Sequence, residues 1–367
     1  MLPEPEPSAL EASARLVGRM RAEAAAAGNW MPFARYMEMA LYEPGLGYYA
    51  GGATKLGAAG DFATAPEMGT LFARTLARQV AALLEPGEAI LELGAGSGAL
   101  AAALLEELSP GTYLILETSP ELRARQEARL GARAKWVADV PARFRGVMIA
   151  NEVADALPVH AVAWRREGVM ERGVGLRGGA LAWAERPAGG ELLEAARRLA
   201  VTAPYESEIG LAARAWLRLL ASRLERGAAL IVDYGFPERE YYHPQRAMGT
   251  LMCHYRHRAH ADPFFHPGLQ DLTAHVDFTA LAREARAGGL QVLGYCNQAQ
   301  FLVNCGITEL LEREDAADVA RYAPLAAQAH KLLSPAEMGE IFKVLAVGRG
   351  VSAPLAGFAS GDRSHTL

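Results

Sequence analysis

The sequence predicts an α/β fold with a mostly parallel sheet and helices on both of its faces, and three observations carry that expectation. The run Ala89-Ile90-Leu91-Glu92-Leu93-Gly94-Ala95-Gly96-Ser97-Gly98 is an apolar strand that ends in three glycines at alternate positions. Leucines at 100, 104, 105 and 108 then repeat at helical spacing, and Tyr113-Leu114-Ile115-Leu116-Glu117 is a second apolar strand ending in a carboxylate. Glycine serves where the main chain turns with φ > 0 and where a ligand comes closer than a Cβ would allow. The helix that follows points its unpaired N–H groups at whatever is bound. Glu117 stands 19 residues past Gly98, where a carboxylate at the tip of the next strand accepts both hydroxyls of a ribose. The ligand read from this loop is an adenosine compound.

The other elements follow in order. Residues 8–27 read as an amphipathic helix, and Asn29-Trp30-Met31-Pro32-Phe33 opens a glycine-rich, aromatic loop that runs to Gly60. A helix follows with Leu71, Phe72, Leu76, Val80 and Leu83 on one face, then strand 89–93, a helix, strand 113–117 and a helix over 120–130. Strands at 134–137 and 146–150 complete the first half of the sheet. Between 161 and 184 short stretches such as Val162-Ala163-Trp164 and Leu181-Ala182-Trp183, broken by Glu167-Gly168 and Gly178-Gly179, predict antiparallel strands. A helix at 190–200, a loop through Tyr205-Glu206-Ser207-Glu208 and a helix to Arg226 lead back to a parallel strand, Ala229–Asp233. A polar loop with many histidines, a helix from Asp277 and strands at 290–295 and 342–347 end the pattern. The expected division is a helical and lid region at 1–84, a first core half at 85–159, an inserted substrate-side lobe at 160–226, a second core half at 227–348 and a flexible tail at 349–367. Trp164, Trp183 and Trp216 of the insertion are read as lining either a substrate groove or a dimer surface.

Composition narrows the class. The balance of 37 basic and 42 acidic residues gives a net charge of -5 with no dense Lys/Arg run, so no nucleic-acid partner is expected. The start lacks a basic and apolar leader, and no apolar run reaches the ~20 residues that span a bilayer, which predicts a cytoplasmic protein with no membrane insertion. Cys253, Cys296 and Cys305 lack a paired spacing and read as packing residues in a reducing compartment. Six of the nine histidines fall between 243 and 275, without the cysteine or carboxylate partners that make a zinc motif, and no metal is expected.

The glycine spacing separates two adenosine ligands. A dinucleotide loop is Gly-x-Gly-x-x-Gly, with a pyrophosphate against the helix N-terminus. Here the third glycine comes one residue earlier and Glu92 precedes the first by two, where an anionic ligand would be repelled. Glu92-x-Gly94-x-Gly96-x-Gly98 resembles the first motif of class I S-adenosylmethionine-dependent methyltransferases, whose Rossmann-like sheet has seven strands; a nicotinamide dehydrogenase is the alternative for this loop. In that family the acidic residue lies near the methionine part of the cofactor, which carries an ammonium and a sulfonium.

Further strings resemble one branch of that family. They include Leu41-Tyr42-Glu43-Pro44-Gly45-Leu46-Gly47-Tyr48-Tyr49, Gly60-Asp61-Phe62 to Pro66-Glu67, Glu117-Thr118-Ser119-Pro120 and Asn151-Glu152 to Asp155-Ala156-Leu157-Pro158. Later in the chain come Asp233-Tyr234-Gly235, Gly249-Thr250-Leu251 and Gln270 to Phe278. Together they are similar to the family that includes the mitochondrial complex I assembly-factor methyltransferase and its bacterial relatives. The resemblance implies S-adenosyl-L-methionine as cofactor and a protein substrate, an arginine of a respiratory-complex subunit in the mitochondrial member; a homodimer is possible. The sequence departs from that pattern after Gly249-Thr250-Leu251, with Met252 and His254 where an arginine and an aromatic are usual.

The candidate cofactor residues are thus Glu92, Gly94, Ala95, Gly96 and Gly98 of the turn, Glu117, Thr118 and Ser119 after the second strand, and Asp139 after the third, where the fold contacts the adenine. Asn151 follows the fourth strand, and Asp61 and Thr64 belong to the lid. Helix capping is the competing account of Asp139 and Thr64. Methyl transfer is an in-line displacement that needs alignment and charge complementarity. A guanidinium has a pKa above ~12, so carboxylates must hold its fork and take its proton. Glu152, Asp155 and Glu208 are the candidates, with Glu206 behind them and His275 added from the family string; Asp155 reads equally as a helix cap. A binding or assembly protein that keeps the fold without turnover is the second functional class.

Overall fold

A computed structural model describes residues 2–51, 64–352 and 354–367, and its chain divides into two units. The core unit is made of Ala63–Ala154, Trp216–Pro237 and Asp277–Leu367, and the lobe of Met1–Phe62, Asp155–Ala215 and Glu238–Val276. The lobe therefore takes three stretches of the chain, where the sequence suggested one insertion.

In the core unit the strands are β1 (Ala89–Leu93), β2 (Thr112–Leu116), β3 (Lys135–Val137), β4 (Phe144–Asn151), β5 (Leu224–Phe236), β6 (Gln291–Asn297) and β7 (Phe342–Arg349). Their order across the sheet is β6-β7-β5-β4-β1-β2-β3, and an eighth strand of two residues, ending at Asp277, joins it. All neighbours on this path are parallel except at β7, which runs antiparallel to β5 and β6. β1, β4 and β5 carry the apolar runs 89–91, 146–150 and 227–232, as expected where helices cover both faces of a parallel sheet. Ile90 pairs with Val147, and Leu230 with Ile149, all fully buried. β1 has β2 on one side and β4 on the other, so the strand order reverses there and opens a crevice at the carboxyl ends.

The lobe has its own antiparallel sheet, Trp30–Pro32, Gly168–Arg177, His160–Arg165 and Tyr205–Ile209 in that order, with Ala180–Pro187 also pairing to Gly168–Arg177. A three-stranded sheet is formed by Arg258–His260, Met252–Tyr255 and Asp271–Thr273, so the histidine-rich segment carries three short strands between its turns. The helix Pro7–Ala26 contributes Leu16 and Met20 to the lobe's core. The aromatic stretch expected as loop contains a helix, Phe33–Tyr42, whose Phe33, Tyr36, Met37, Ala40 and Leu41 recur at helical spacing and are buried. Trp164 packs edge-on against Tyr205, and Trp183 against Phe33 and Phe264.

Two further expectations are corrected. The helix before β5 ends at Arg223, and Arg226 lies in the strand, its guanidinium holding Glu88 at 2.6 Å and Glu85 at 2.5 Å. The tail beyond 349 joins the core: Leu355 and Phe358 are 5% exposed, Phe358 packs on Phe301, and the Gly357 N–H donates to the buried Gln79 at 2.8 Å. Gly294 makes room for this, since a Cβ there would lie 2.1 Å from the Phe358 ring. Phe358→Ala is therefore expected to cost about 3–5 kcal/mol and to lower the unfolding midpoint in denaturant; an unchanged midpoint would mean that the tail only rests on the surface.

Candidate active site

The turn after β1 has the geometry its glycines require: Gly94, Gly96 and Gly98 have φ of 65°, 54° and 77°. All three are left-handed, which a side chain makes costly, and Gly98 caps the helix Ala99–Glu107. A Cβ at Gly94 would meet Val153 at 3.0 Å, and the Gly94 N–H donates to the Leu116 carbonyl at 3.0 Å, tying the turn to β2. Ala95 is buried in this turn.

Glu117 stands past β2, its Oε1 accepting the Ser119 N–H at 2.9 Å and its Oε2 the Gln126 Nε2 at 2.9 Å. Gln126 is a residue the motif reading missed. Fully buried, it also donates to the Gly96 carbonyl at 2.8 Å and accepts the Trp136 indole N–H at 2.9 Å. One amide thus joins the glycine turn, the ribose candidate and β3. Nothing in the spacing of the helix Pro120–Leu130 marks it, apart from a polar residue on the buried face shared with Leu122 and Leu130. Ser119 caps that helix through the Leu122 N–H, and Thr118 is exposed.

Glu92 is 3% exposed and accepts the Tyr113 hydroxyl at 2.6 Å. Burial pushes its carboxyl up to about 7; Tyr113 works against that rise, and Glu117 adds to it. Asp139 is exposed at the end of β3, where Oδ1 accepts the Val140 N–H at 2.7 Å and Oδ2 lies 4.0 Å from Arg223. Thr64 precedes the short helix Ala65–Met68, and Asp61 lies outside the described residues. In the same region Glu67 accepts the Ser97 hydroxyl, and Arg129 donates to Ser97 at 2.9 Å.

At the carboxyl end of β4, Asn151 Nδ2 donates to Glu152 Oε1 at 3.1 Å, and the Glu152 N–H reaches the Val232 carbonyl at 2.9 Å. Glu152 has φ of 54°, a left-handed conformation that costs a non-glycine residue roughly 1 kcal/mol and clusters at functional sites. The fully buried Asp233 holds this turn, accepting the Ala154 N–H at 2.9 Å and the Tyr234 N–H at 2.9 Å.

In the lobe, the main chain of His275 joins the hydrogen bonds around Glu208, and the main chain of Asp155 bonds to Ala274, the residue before His275. The Asp155 carbonyl accepts the Ala274 N–H at 3.0 Å, and the His275 N–H donates to Thr250 Oγ1 at 3.1 Å. Thr250 in turn donates to Glu208 Oε2, from its N–H at 2.8 Å and its hydroxyl at 2.9 Å, and Tyr241 adds its hydroxyl at 3.4 Å. Glu208 is 4% exposed, and burial raises its carboxyl pKa against these donors, which lower it. Glu206, two residues earlier on the same face of the strand, is treated differently: Arg165 at 2.5 Å and Arg172 both pair with it. The expected polar loop at 205–208 is thus a strand, Tyr205–Ile209, in which Glu206 is matched by arginines and Glu208 by hydroxyl and amide donors. Among the described residues no group of His, Cys, Asp and Glu side chains is arranged to hold a metal ion.

The sequence profile of the family described as "Putative S-adenosyl-L-methionine-dependent methyltransferase" matches residues 71–296. This chain belongs to that family. The methyltransferase is 32% identical to the mitochondrial protein arginine methyltransferase NDUFAF7 of Danio rerio, over 86% of this chain and 82% of the relative. It is 29% identical to the NDUFAF7 homolog of Drosophila melanogaster, over 97% and 91%. Among solved structures, a Burkholderia thailandensis protein bound to S-adenosyl-homocysteine is 49% identical over the whole of both chains, with a TM-score of 0.96. The cofactor of this methyltransferase is S-adenosyl-L-methionine, and the left-handed glycine turn beside Glu117 suits its adenosine half. When bound, it supplies an electrophilic methyl on a sulfonium.

Two predictions follow from this geometry. Gln126→Met leaves the Gly96 carbonyl, Glu117 and the Trp136 indole each one partner short, and is expected to weaken S-adenosylhomocysteine binding about tenfold, or ~1.4 kcal/mol. Calorimetric affinity equal to wild type would show that the hub does not shape the pocket. Glu92 has a folded pKa above its ordinary 4.5, so the folded protein holds that proton longer and loses stability as pH rises from 4.5 to about 7. Glu92→Gln should accordingly stabilise the cofactor-free protein at pH 8, by up to about 3 kcal/mol, and far less at pH 4.5. Equal shifts of the melting temperature at both pH values would contradict the buried-carboxylate account.

Proposed function

We propose that this methyltransferase acts on a protein, at an arginine side chain. One observation carries the reading: Glu208 is a buried carboxylate supported by hydroxyl and amide donors, and among the described residues no basic side chain pairs with it. Burying an anion without a counter-ion is costly, and a cationic acceptor removes that cost on binding. A guanidinium fits because its planar fork matches a carboxylate. The names of the NDUFAF7 relatives support the same substrate class.

The chemistry then assigns roles. A guanidine nitrogen attacks the methyl carbon, the carbon–sulfur bond breaks with its electron pair going to sulfur, and the acceptor nitrogen loses a proton to a carboxylate. Glu208 holds the guanidinium and takes that proton. Because a carboxylate must be ionised to do this, the rate falls as pH drops through the raised pKa of Glu208.

Incubation of the enzyme with tritiated S-adenosylmethionine and extract from cells lacking it should place label in protein, released on acid hydrolysis as methylarginine. Label in methyl-lysine, or only in small molecules, would overturn the arginine reading. Glu208→Gln is expected to slow transfer by about 10²-fold or more while S-adenosylhomocysteine affinity stays unchanged.

A further inference from the structure

We infer that Thr250, assisted by Tyr241, is the positioning residue that fixes the Glu208 carboxylate and directs its Oε1 toward the cationic acceptor. The inference rests on the role given to Glu208 above. Hydrogen bonds from the Thr250 N–H, the Thr250 hydroxyl and the Tyr241 hydroxyl end on Oε2, at 2.8, 2.9 and 3.4 Å, and the Leu251 N–H is a further donor to the carboxylate. A carboxylate held by several donors at one oxygen cannot rotate about its last bond without breaking them, so the direction of the other oxygen is set. That other oxygen lies over Gly249: a Cβ at this position would come within 2.2 Å of Oε1. Gly249 also has φ of +79°, so both its conformation and its missing side chain serve the placement of one oxygen.

The device is braced on three sides. Thr250 Oγ1 accepts the His275 N–H at 3.1 Å and lies 3.1 Å from the Tyr241 hydroxyl. The Tyr242 hydroxyl donates to the Glu208 carbonyl at 3.0 Å. The Glu206 N–H donates to the Ala247 carbonyl at 2.9 Å, which lays the segment before Gly249 along the Glu208 strand. Gly249-Thr250-Leu251 is thereby explained as a carboxylate cradle rather than a turn. The titratable and charged groups on the elements around Glu208 are Tyr205 and Glu206 on its own strand, Arg165 and Arg172 paired with Glu206, Tyr241, Tyr242, Arg246 and His275. Of these, the Tyr241 hydroxyl alone bonds to the carboxylate among the described residues.

The test compares wild type with Thr250→Val, Thr250→Ser, Tyr241→Phe and Glu208→Gln. It follows the initial rate at which total label leaves tritiated S-adenosylmethionine in extract of cells lacking the enzyme, from pH 5.5 to 9. S-adenosylhomocysteine affinity and melting temperature are measured for each variant. Thr250→Val keeps the shape but removes a donor to the charged carboxylate, so the acid limb of the profile should move up by about one pH unit and the rate at pH 7 fall about tenfold. Thr250→Ser should restore both, Tyr241→Phe should move the limb in the same direction by less, and cofactor affinity should not change. If Glu208→Gln is inactive but Thr250→Val keeps the wild-type rate and limb, the positioning role is overturned while the role of Glu208 stands. Failure of Thr250→Ser to restore the rate of a folded protein overturns it as well. An active Glu208→Gln overturns the role of Glu208 and the positioning role with it. If Thr250→Val does not fold, an acid limb unmoved in Tyr241→Phe decides against the inference.

Discussion

The place of β1 in its sheet is the constraint on which the cofactor side depends. With β2 on one side and β4 on the other, its carboxyl end is where the crossovers part, and only there can a chain turn into the crevice without covering it. The turn has to reverse direction at once and still leave room for a ligand, and three left-handed glycines at alternate positions meet both demands. The surroundings follow from that geometry: Gly94 bonds to the end of β2, Gln126 takes up the Gly96 carbonyl, and through the same amide Glu117 and Trp136 are drawn to the turn.

The treatment of buried carboxylates divides structure from chemistry. Glu88 and Glu206 are matched by arginines, as expected where a charge only has to be tolerated. Glu92 and Glu208 are kept by hydroxyls and amides, and burial raises the pKa of each. A carboxylate in that setting stays responsive to a cation brought by a ligand, because no cation among the described residues has already lowered its energy. The contrast between Glu206 and Glu208 is sharp because they share one strand face and differ only in what the neighbouring strands and loops offer them.

Where sequence and structure part, the cause is burial supplied from far along the chain. Phe33–Tyr42 carries helical spacing but follows a proline and sits among glycines and aromatics, so local signals favoured a loop until packing in the lobe fixed the helix. Tyr205–Ile209 looks like a polar loop because two of its five residues are glutamates, yet arginines from adjacent strands and the Gly249-Thr250 cradle make it a strand. The segment after 349 is rich in small residues, and its order comes from Phe358 finding Phe301 and from a gap opened by Gly294. None of these partners is within reach of a local window.

The sequence by itself determined the sheet, the cofactor and the left-handed glycine turn, because strand runs, the alternate glycines and Glu117 act over a few residues of chain and their spacing is their geometry. Family strings and the chemistry of a guanidinium acceptor likewise marked Glu152, Asp155 and His275 as candidates, and that chemistry alone marked Glu208. Tertiary structure alone decided what those residues can do. Gln126 as a hub is an ordinary residue in the sequence, and Asp233 beneath the turn after β4 and Thr250 beside Glu208 stand in family strings that do not say what they do. Their roles arise from hydrogen bonds spanning from 9 to 79 positions, and the folded chain alone determines which donor meets which carboxylate.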